Sequence, residues 1–328
     1  MKRILTGDRP TGNLHLGHYI GTLKNRVKLQ KEYDTLILVA DVQCLTTNFE
    51  KPDQIKEDVF NVIASYIASG LDPTISKFVI QSRVPEITEL TIYYSMYVLL
   101  STLRHNPTIK TEIKAGYNKE LTYGFLGYPV NQAADISVFR ADLVPVGRDQ
   151  VPHIELTRKI VRRFNTLYDE VLVEPDALVG DVPVLPGLDG KDKMSKSLGN
   201  AIYLCDEDDI ITKKVKSAVT DPARIHPTDP GHPDVCTIFK YYEAFFGEVV
   251  DEIREGCKAA QFGCVACKKR FAELLINFIK PMRDRYKSVR SDTDYLTKIA
   301  LDGTAQAREI AQETMKDVRK AMKLNYFE

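Results

Sequence analysis

The segment TGNLHLGHYIG (Thr11–Gly21) follows a short apolar strand, RILTG, and carries the start of the first predicted helix. Backbone N–H groups at a helix start are free to bind an anion, so this position favours a phosphate or a carboxylate. Its two histidines, His15 and His18, lie three residues apart and share one face of the first turn. Gly17 between them leaves room for a phosphate or a flat ring. The pattern indicates an anion site at a strand–helix junction; the alternative is a capped helix with two surface histidines.

Outward from this segment, apolar strands alternate with amphipathic helices. TLILVAD (Thr35–Asp41), KFVIQS (Lys77–Ser82) and LVPVG (Leu143–Gly147) are short apolar runs typical of buried parallel strands. Helical spacing follows at about 51–69 and 149–163. We therefore predict an α/β fold, a doubly wound parallel sheet, with ligands beyond the carboxyl ends of its strands. Most segments after the proline-rich stretch at 220–234 have helical spacing, which predicts a mainly helical C-terminal domain.

Composition excludes two broad classes of function. The 328 residues contain 45 Lys+Arg and 45 Asp+Glu, so the chain is not a general polyanion binder, and contact with nucleic acid must be local. No run of about eighteen apolar residues occurs, so we expect no membrane span. The start, MKRILTGDRP, is too polar for a signal peptide, and we expect a cytoplasmic protein.

A second segment, KDKMSKSLGN (Lys191–Asn200), places positive charge on a loop flanked by glycines. Lysines bind phosphate as compact, mobile charges, and such a loop can close over a ligand and release it. A solvated charged loop is the alternative. Two phosphate-type patterns at opposite ends of one α/β domain favour a nucleotide site.

Four cysteines in the C-terminal half have the spacing C-x20-C-x6-C-x2-C, namely Cys236, Cys257, Cys264 and Cys267. Clustered cysteines in a cytoplasmic protein indicate a metal site before a disulfide. Four thiolates suit tetrahedral Zn²⁺ or a [4Fe–4S] cluster, and the spacing does not separate the two. Four reduced core cysteines are the remaining alternative.

The two phosphate-type motifs carry a family resemblance. HLGH resembles the HIGH signature of class I aminoacyl-tRNA synthetases, and KMSKS matches their second signature letter for letter. GYPVNQAADISVFRADLVPVGRDQVPHIELTR (Gly127–Arg158) is similar to bacterial tryptophanyl-tRNA synthetases, as are the opening GDRPTGNLHLGHYIG and the last helix. The resemblance covers essentially the whole chain. It implies that L-tryptophan is activated with ATP to tryptophanyl-adenylate and pyrophosphate and is then transferred to tRNA(Trp).

The same resemblance implies a domain plan. A Rossmann-like catalytic domain spans 1–190 and the KMSKS loop 191–200; a helical anticodon-binding domain with the four-cysteine site spans 201–303, and a C-terminal helix 304–328. A subset of the family carries a [4Fe–4S] cluster at nearly this cysteine spacing, which favours the cluster over Zn²⁺. Family members are homodimers, and we expect the same here.

Position by position, the resemblance implies a site for each substrate. It assigns tryptophan to Leu5, Gly7, Tyr128, Gln132, Asp135, Val144, Val146 and Gln150. It assigns ATP to Arg9, Pro10, Thr11, Gly17, His18, Gly147, Arg148, Asp149, Val184, Lys193, Met194, Ser195, Lys196 and Ser197. The implied catalytic groups are His15, His18, Lys193, Ser195 and Lys196. Mg²⁺ is expected with the phosphates, held mostly by them and by water.

The role predicted for Asp135 follows from the chemistry of indole. Indole is apolar except for one N–H donor, so its pocket needs apolar walls and one buried acceptor. Phenylalanine would leave that acceptor unpaired, which is how strong discrimination arises. The alternative for Asp135 is a helix cap.

The sequence leaves alternatives for the roles of three positions. The family commonly has GEDQ where this chain has GRDQ, so Arg148 reverses a charge in the ATP site. Gln132 lies at a position that varies between methionine and glutamine. Lys110 or Lys114 is a candidate third cation, with a surface helix lysine as the alternative.

Three other functions share some of these features. A tyrosyl-tRNA synthetase would have both signatures, and a small-molecule nucleotidylyltransferase would have the histidine-bearing helix start. A non-enzymatic iron–sulfur RNA-binding protein would use the cysteines. Lys268, Lys269 and Arg270 follow the last cysteine, where they face either RNA phosphates or solvent.

Overall fold

The computed structural model describes residues 1–114, 121–180, 184–191, 193–196 and 198–327, without the side chains of Lys114 and Asp149. A five-stranded parallel sheet forms its centre, in the order β3-β2-β1-β4-β5. The strands are β1 (Arg3–Asp8), β2 (Asp34–Val39), β3 (Ser76–Ile80), β4 (Leu143–Val146) and β5 (Asp176–Val179).

The described α-helices cover both faces of the sheet and form the C-terminal part of the chain. Those of the first half are α1 (Leu16–His18), α2 (Lys24–Leu29), α3 (Asp41–Asn48), α4 (Ile55–Ala68), α5 (Pro85–Ser95), α6 (Leu100–Arg104), α7 (Pro107–Lys114), α8 (Tyr123–Val138) and α9 (Val151–Leu167). Those of the second half are α10 (Asp208–Ser217), α11 (Thr237–Phe245), α12 (Val250–Lys258), α13 (Cys264–Ser291) and α14 (Thr293–Ala321). A π-helical turn, Tyr19–Leu23, joins α1 to α2. None of the described helices combines the length and the apolar character needed to cross a membrane.

Alternation along the central strands builds two cores, one on each face of the sheet. In β2, Ile37 and Val39 pack into the core shared with α4 and α13, whereas Leu36 and Leu38 face the opposite core with α8 and α9. Successive side chains of a strand point to opposite faces, so a strand with helices on both sides must be apolar throughout. This confirms the doubly wound sheet predicted from the apolar runs.

The strand order places a crevice next to β1. β2 and β3 lie on one side of β1 and β4 and β5 on the other, so the chain reverses its winding direction between β1 and β4. In open α/β sheets ligands bind outside the carboxyl ends of the strands at such a reversal. Gly7 and Val146 lie near those ends, at positions that the resemblance assigned to tryptophan.

β5 was not predicted from the sequence. Its four residues, DALV, form an edge strand that is half-buried at best, so they lack the continuous apolar run of the inner strands.

The C-terminal helices pack back onto the sheet domain. Thr304 of α14 accepts a hydrogen bond from the backbone N–H of Ile80 at 2.9 Å, and Gly303 lies so close to Phe78 that a Cβ would meet its backbone N at 2.7 Å. α14 thereby covers the edge strand β3, which would otherwise present unpaired backbone groups. The helix predicted at 304–328 begins earlier, at Thr293, because Asp292 caps it by accepting the N–H of Tyr295 at 2.9 Å.

Candidate active site

The first motif forms a helix start whose two imidazoles support each other. His15 is the N-cap of α1, and its Nδ1 accepts the N–H of Gly17 at 3.1 Å. His18 Nδ1 accepts the N–H of His15 at 3.2 Å, and the two ring centroids are 3.8 Å apart. Because both Nδ1 atoms accept backbone hydrogen bonds, each neutral ring carries its proton on Nε2. The turn therefore presents two N–H donors to a ligand.

Both imidazoles are neutral at physiological pH. Burial lowers the pKa of His15 to about 2, and the charges of Lys196 and Lys193 act in the same direction. Burial lowers the pKa of His18 to about 4, although the nearby Asp8 carboxylate opposes the shift. The rings can thus donate hydrogen bonds to an anion without themselves titrating near neutrality.

A buried ion pair lies behind this turn. Asp8 and Arg26 are 2.5 Å apart, and the hydroxyl of Tyr66 donates to Asp8 at 2.7 Å. Burial alone would raise the pKa of Asp8, but the Arg26 guanidinium holds it well below its usual range. Arg26 also donates to the carbonyl of Gly7 at 3.1 Å, which ties the helix to the end of β1. This network was not predicted from the sequence. Its one visible signal was a charged residue, Asp8, directly after the apolar run RILTG.

The KMSKS segment folds around Asn200. The Asn200 side chain accepts the N–H of Ser195 at 2.8 Å and donates to Asp189 at 3.2 Å. Met194 is buried in the core, and its N–H donates to the carbonyl of Leu185 at 2.9 Å. An anchored methionine between two lysines holds the backbone in place while the charged side chains stay on the open side.

The two motifs meet in space. Lys196 donates to the carbonyl of Gly12 at 2.9 Å and lies 3.4 Å from the hydroxyl of Thr11. Met194 lies against Gly17, 3.6 Å from where a Cβ on that glycine would sit. Burial lowers the pKa of Lys196, while the carboxylates of Asp8 and Asp58 favour its charged form. A lysine ammonium and two imidazole donors thus lie around one region at the start of α1.

The residues assigned to tryptophan lie at the β1–β4 crevice and on one face of α8. Leu5 and Val144 are buried on neighbouring strands, and the position of Gly7 admits no side chain because a Cβ would strike the carbonyl of Leu38. Tyr128, Gln132 and Asp135 lie at helical spacings on α8, with Tyr128 and Asp135 buried and Gln132 partly buried. Val146, the last residue of β4, and Gln150, which follows that strand, are partly buried.

Asp135 is a fully buried carboxylate held by amides. Gln81 Nε2 donates to its Oδ1 at 2.8 Å and to its Oδ2 at 3.0 Å, and Asn131 donates to Oδ2 at 3.3 Å. Burial raises the pKa of Asp135 to about 7, against the lowering effect of Gln81 and Asn131. It is not a helix cap: it lies in the fourth turn of α8, whose N-cap is Thr122.

Tyr128 belongs to a polar cluster that the sequence analysis missed. Its hydroxyl donates to Glu112 Oε2 at 2.9 Å and lies 3.3 Å from His153 Nε2. Burial raises the pKa of Tyr128, so the phenol remains a donor at all physiological pH values. A carboxylate beside a phenol is suited to an ammonium group.

The other residues assigned to ATP are scattered around the phosphate region. Arg9, Thr11, Arg148, Val184 and Lys193 are exposed, whereas Pro10 is buried and its carbonyl accepts the Cys44 thiol at 3.2 Å. Gly147 directly precedes the helical turn at 148–150. Lys110 is exposed on α7. Ser197 and the side chains of Lys114 and Asp149 lie outside the described residues.

The four clustered cysteines line one cavity. Cys236, Cys257, Cys264 and Cys267 surround it, together with Thr220, Arg224, Ile238, Phe262 and Lys268. A side chain at Gly231 would strike the sulfur of Cys257, and Arg224 Nη1 lies 3.8 Å from that sulfur. Burial, together with the other three thiols, raises the pKa of Cys267 to about 12. Within the described part of the chain, no three His, Cys, Asp or Glu side chains are arranged to hold a single metal ion.

Two of the three basic residues after the last cysteine are engaged within the protein. Lys268 donates to the carbonyls of Lys216 at 2.9 Å and Ala218 at 2.6 Å. Arg270 pairs with both oxygens of Glu252, at 2.7 and 2.8 Å. Lys269 is exposed. The interpretation of this run as a phosphate-binding patch therefore has structural support only at Lys269.

Comparison with known proteins agrees with this geometry. A family model described as class I tRNA synthetases for W and Y matches residues 1–280. A tryptophan–tRNA ligase of Clostridium longisporum is 47% identical over 332 residues, covering 99% of this chain and 97% of the relative. The corresponding ligase of Thermotoga maritima is 45% identical, covering 99% and 100%. A crystal structure of the Campylobacter jejuni tryptophanyl-tRNA synthetase, complexed with ADP and tryptophan, has a TM-score of 0.88 at 31% identity, covering 98% and 99%. The chain therefore belongs to the class I tRNA synthetases of the tryptophan and tyrosine family.

Proposed function

We propose that this chain is a tryptophan–tRNA ligase that forms tryptophanyl-adenylate from L-tryptophan and ATP and then charges tRNA(Trp). The observation that carries the proposal is the convergence of Lys196 with the His15–His18 turn, in a chain that also holds a buried acceptor, Asp135, on α8. Relatives 45–47% identical over nearly their whole length are tryptophan–tRNA ligases, which favours tryptophan over tyrosine. ATP–pyrophosphate exchange screened over the amino acids tests the choice, and tyrosine-dependent exchange would overturn it.

In the first step a tryptophan carboxylate oxygen bonds to the α-phosphorus of ATP while the bond to pyrophosphate breaks. No proton need be transferred, so the protein contributes alignment and charge stabilisation. The Nε2–H groups of His15 and His18 donate to phosphate oxygens, and Lys193 and Lys196 neutralise the departing pyrophosphate. Mg²⁺, when bound, adds positive charge at the phosphates and is held mainly by them and by water.

In the second step a ribose hydroxyl of the tRNA attacks the activated carbonyl, and AMP leaves. We assign anticodon recognition to the helical region 201–303, where splayed bases can be read by stacking and edge contacts. Lys268 and Arg270 are held by the protein, so contacts must come from other side chains, such as the exposed Lys269. Aminoacylation of tRNA(Trp) tests this step, and its absence beside normal exchange would contradict it. A tRNA substrate and six cysteines that form no disulfide support a cytoplasmic location.

Lys196→Ala is expected to slow tryptophan-dependent ATP–pyrophosphate exchange by about 10²–10³-fold, because one preorganised cation is lost at the developing charge. Tryptophan affinity should change less than about twofold, since the ammonium lies at the phosphate site. Lys191→Ala, an exposed lysine of the same loop, serves as the control and should retain exchange. Normal exchange in Lys196→Ala would remove this lysine from the mechanism.

Tryptophan binding should weaken as pH falls, because a protonated Asp135 loses acceptor capacity. With the Asp135 pKa raised to about 7, the ionised form dominates at pH 8 and is the minor form at pH 6. Affinity should therefore be about tenfold lower at pH 6 than at pH 8. The chain contains no tryptophan, so the fluorescence of the ligand itself reports binding.

Asp135→Asn is the matched variant for this titration. It should bind tryptophan with a flat pH profile between pH 6 and 8 and should discriminate poorly against phenylalanine. His15 and His18, with pKa values of about 2 and 4, do not titrate in this range. If Asp135→Asn kept both the pH dependence of tryptophan binding and the discrimination against phenylalanine, the indole pocket would lie elsewhere.

We further propose that the cysteine cavity holds a [4Fe–4S] cluster rather than Zn²⁺. The cysteine spacing resembles that of a family subset that carries such a cluster. Here the four thiols line one common cavity, which supports a shared bound group. Cys236, Cys257, Cys264 and Cys267 would hold it, and its contribution is structural, because it joins α11, α12 and α13.

Chain purified without oxygen should contain about four irons and four acid-labile sulfides and should absorb broadly in visible light. Cys264→Ser should lose this iron and the absorbance. Cys205→Ser, which changes a cysteine outside the cavity lining, should retain both. One zinc per chain without sulfide would contradict the cluster.

The chain is also proposed to form a homodimer. Large apolar side chains are exposed on α5, on the segment that joins α5 to α6, and at the starts of α6 and α8. They are Ile92, Met96, Leu99, Leu100 and Tyr123. Met96 is 71% exposed and Tyr123 is 74% exposed. Such a concentration of exposed apolar groups is typical of an interface. The symmetric pairing of two copies would bury it.

Leu99→Asp should shift the chain from dimer to monomer at micromolar concentration in sedimentation experiments, since it places a charge in the proposed interface. Ile225→Asp is the control, because Ile225 is 80% exposed but lies in the C-terminal half, far from this set in sequence. Leu99→Asp that remained dimeric, or a parent chain that was monomeric, would overturn the proposed interface.

A further inference from the structure

Gln81 is a buried amide that bonds the carboxylate of Asp135, the proposed indole acceptor. It is 2% exposed, follows β3 directly, and donates from Nε2 to both oxygens of Asp135. We infer that Gln81 is the positioning residue that aims the Asp135 carboxylate at the indole N–H and thereby sets the preference for tryptophan. The inference rests on the proposed function, because it concerns the same pocket.

The direction of the Gln81 amide is fixed by a backbone donor. The N–H of Gln43 donates to Gln81 Oε1 at 3.0 Å. An oxygen that accepts this bond leaves the NH₂ group on the opposite side of the amide, facing Asp135. A flipped amide would place an NH₂ group against the Gln43 N–H and an oxygen against a carboxylate, so both contacts would become repulsive.

The backbone around Gln81 is fixed by the start of α3. Asp41 accepts the N–H of Ser82 at 2.9 Å and the Ser82 hydroxyl at 2.5 Å. The helix that supplies Gln43 therefore also holds the residue after Gln81. The end of β2, which leads into α3, is thereby joined to the end of β3, which leads into the helical turn Gln81–Arg83. The Gln81 amide therefore has little freedom to move.

The hydrogen bonds leave Asp135 with room for one more donor. A carboxylate has about four acceptor positions. Among the described residues, Gln81 occupies one position on each oxygen and Asn131 occupies a second on Oδ2. The remaining position is on Oδ1. An indole N–H can fill it, whereas phenylalanine offers no donor and leaves a buried carboxylate incompletely paired.

Gln81→Met removes the donor at nearly constant volume, and the test compares two substrates. One is L-tryptophan; the other is its analogue with sulfur in place of the indole N–H, β-(3-benzothienyl)alanine. Exchange should show a strong preference for tryptophan in the parent chain. In Gln81→Met, kcat/KM for tryptophan should fall about 10–100-fold while that for the analogue stays within about threefold, so the preference collapses.

Two further variants keep the test decisive. Gln81→Leu also removes the donor, with a branched side chain in place of the straight one of methionine, and it should collapse the preference in the same way. Gln30→Met makes the same chemical change at another buried glutamine, which bonds Asp72 and Gly70 near the opposite end of β3. It should leave the preference intact whatever it does to thermal stability.

The outcomes separate this inference from the proposed function. A parent chain that prefers tryptophan, together with Gln81 variants that keep the full preference, would overturn the positioning role alone. Equal losses for both substrates in Gln81→Met would also overturn it, since they would indicate a merely structural role. A parent chain with no tryptophan-dependent exchange would overturn the proposed function itself.

Discussion

The active site depends on a short stretch of backbone pairing between two distant parts of the chain. The N–H of Leu16 donates to the carbonyl of Ile202 at 3.0 Å, and the N–H of Leu204 donates to the carbonyl of Leu14 at 3.0 Å. This pairing fixes the histidine-bearing helix start against the segment that leaves the KMSKS loop. Without it, Lys196 would have no defined position relative to His15 and His18. Alignment of this kind is the main contribution that a protein makes to phosphoryl-type transfer.

The proposed amino-acid pocket depends on a second constraint, the reversal of winding between β1 and β4. Because the adjoining loops diverge at that point, the carboxyl ends of the strands are open, and α8 can lay Tyr128 and Asp135 over them. The buried charges are compensated close by: Asp8 by Arg26, and Asp135 by the amides of Gln81 and Asn131. Removing one partner of such a pair costs far more than the pair contributes, so these contacts fix the shape of the site as well as its charge.

The sequence predicted the features that depend on local pattern. The apolar runs predicted β1 to β4, and the two signatures directed attention to the region where Lys196 lies near the histidine turn. It did not reveal Gln81, Glu112 or the Asp8–Arg26 pair as site residues, because their partners lie far away in the chain: Gln81 is 54 residues from Asp135. Their one local signal was a polar residue directly after an apolar strand, as at Asp8 and Gln81. The half-buried edge strand β5 had no pattern to detect.

The two motifs, about 180 residues apart in the sequence, are proposed to act on the same triphosphate. A crystal structure of the chain with tryptophan and a non-hydrolysable ATP analogue would show whether they do. We expect one triphosphate within hydrogen-bonding distance of the Nε2 atoms of His15 and His18 and of the Lys196 ammonium. A nucleotide that contacted only one of the two motifs, with the other facing a separate cavity, would contradict it.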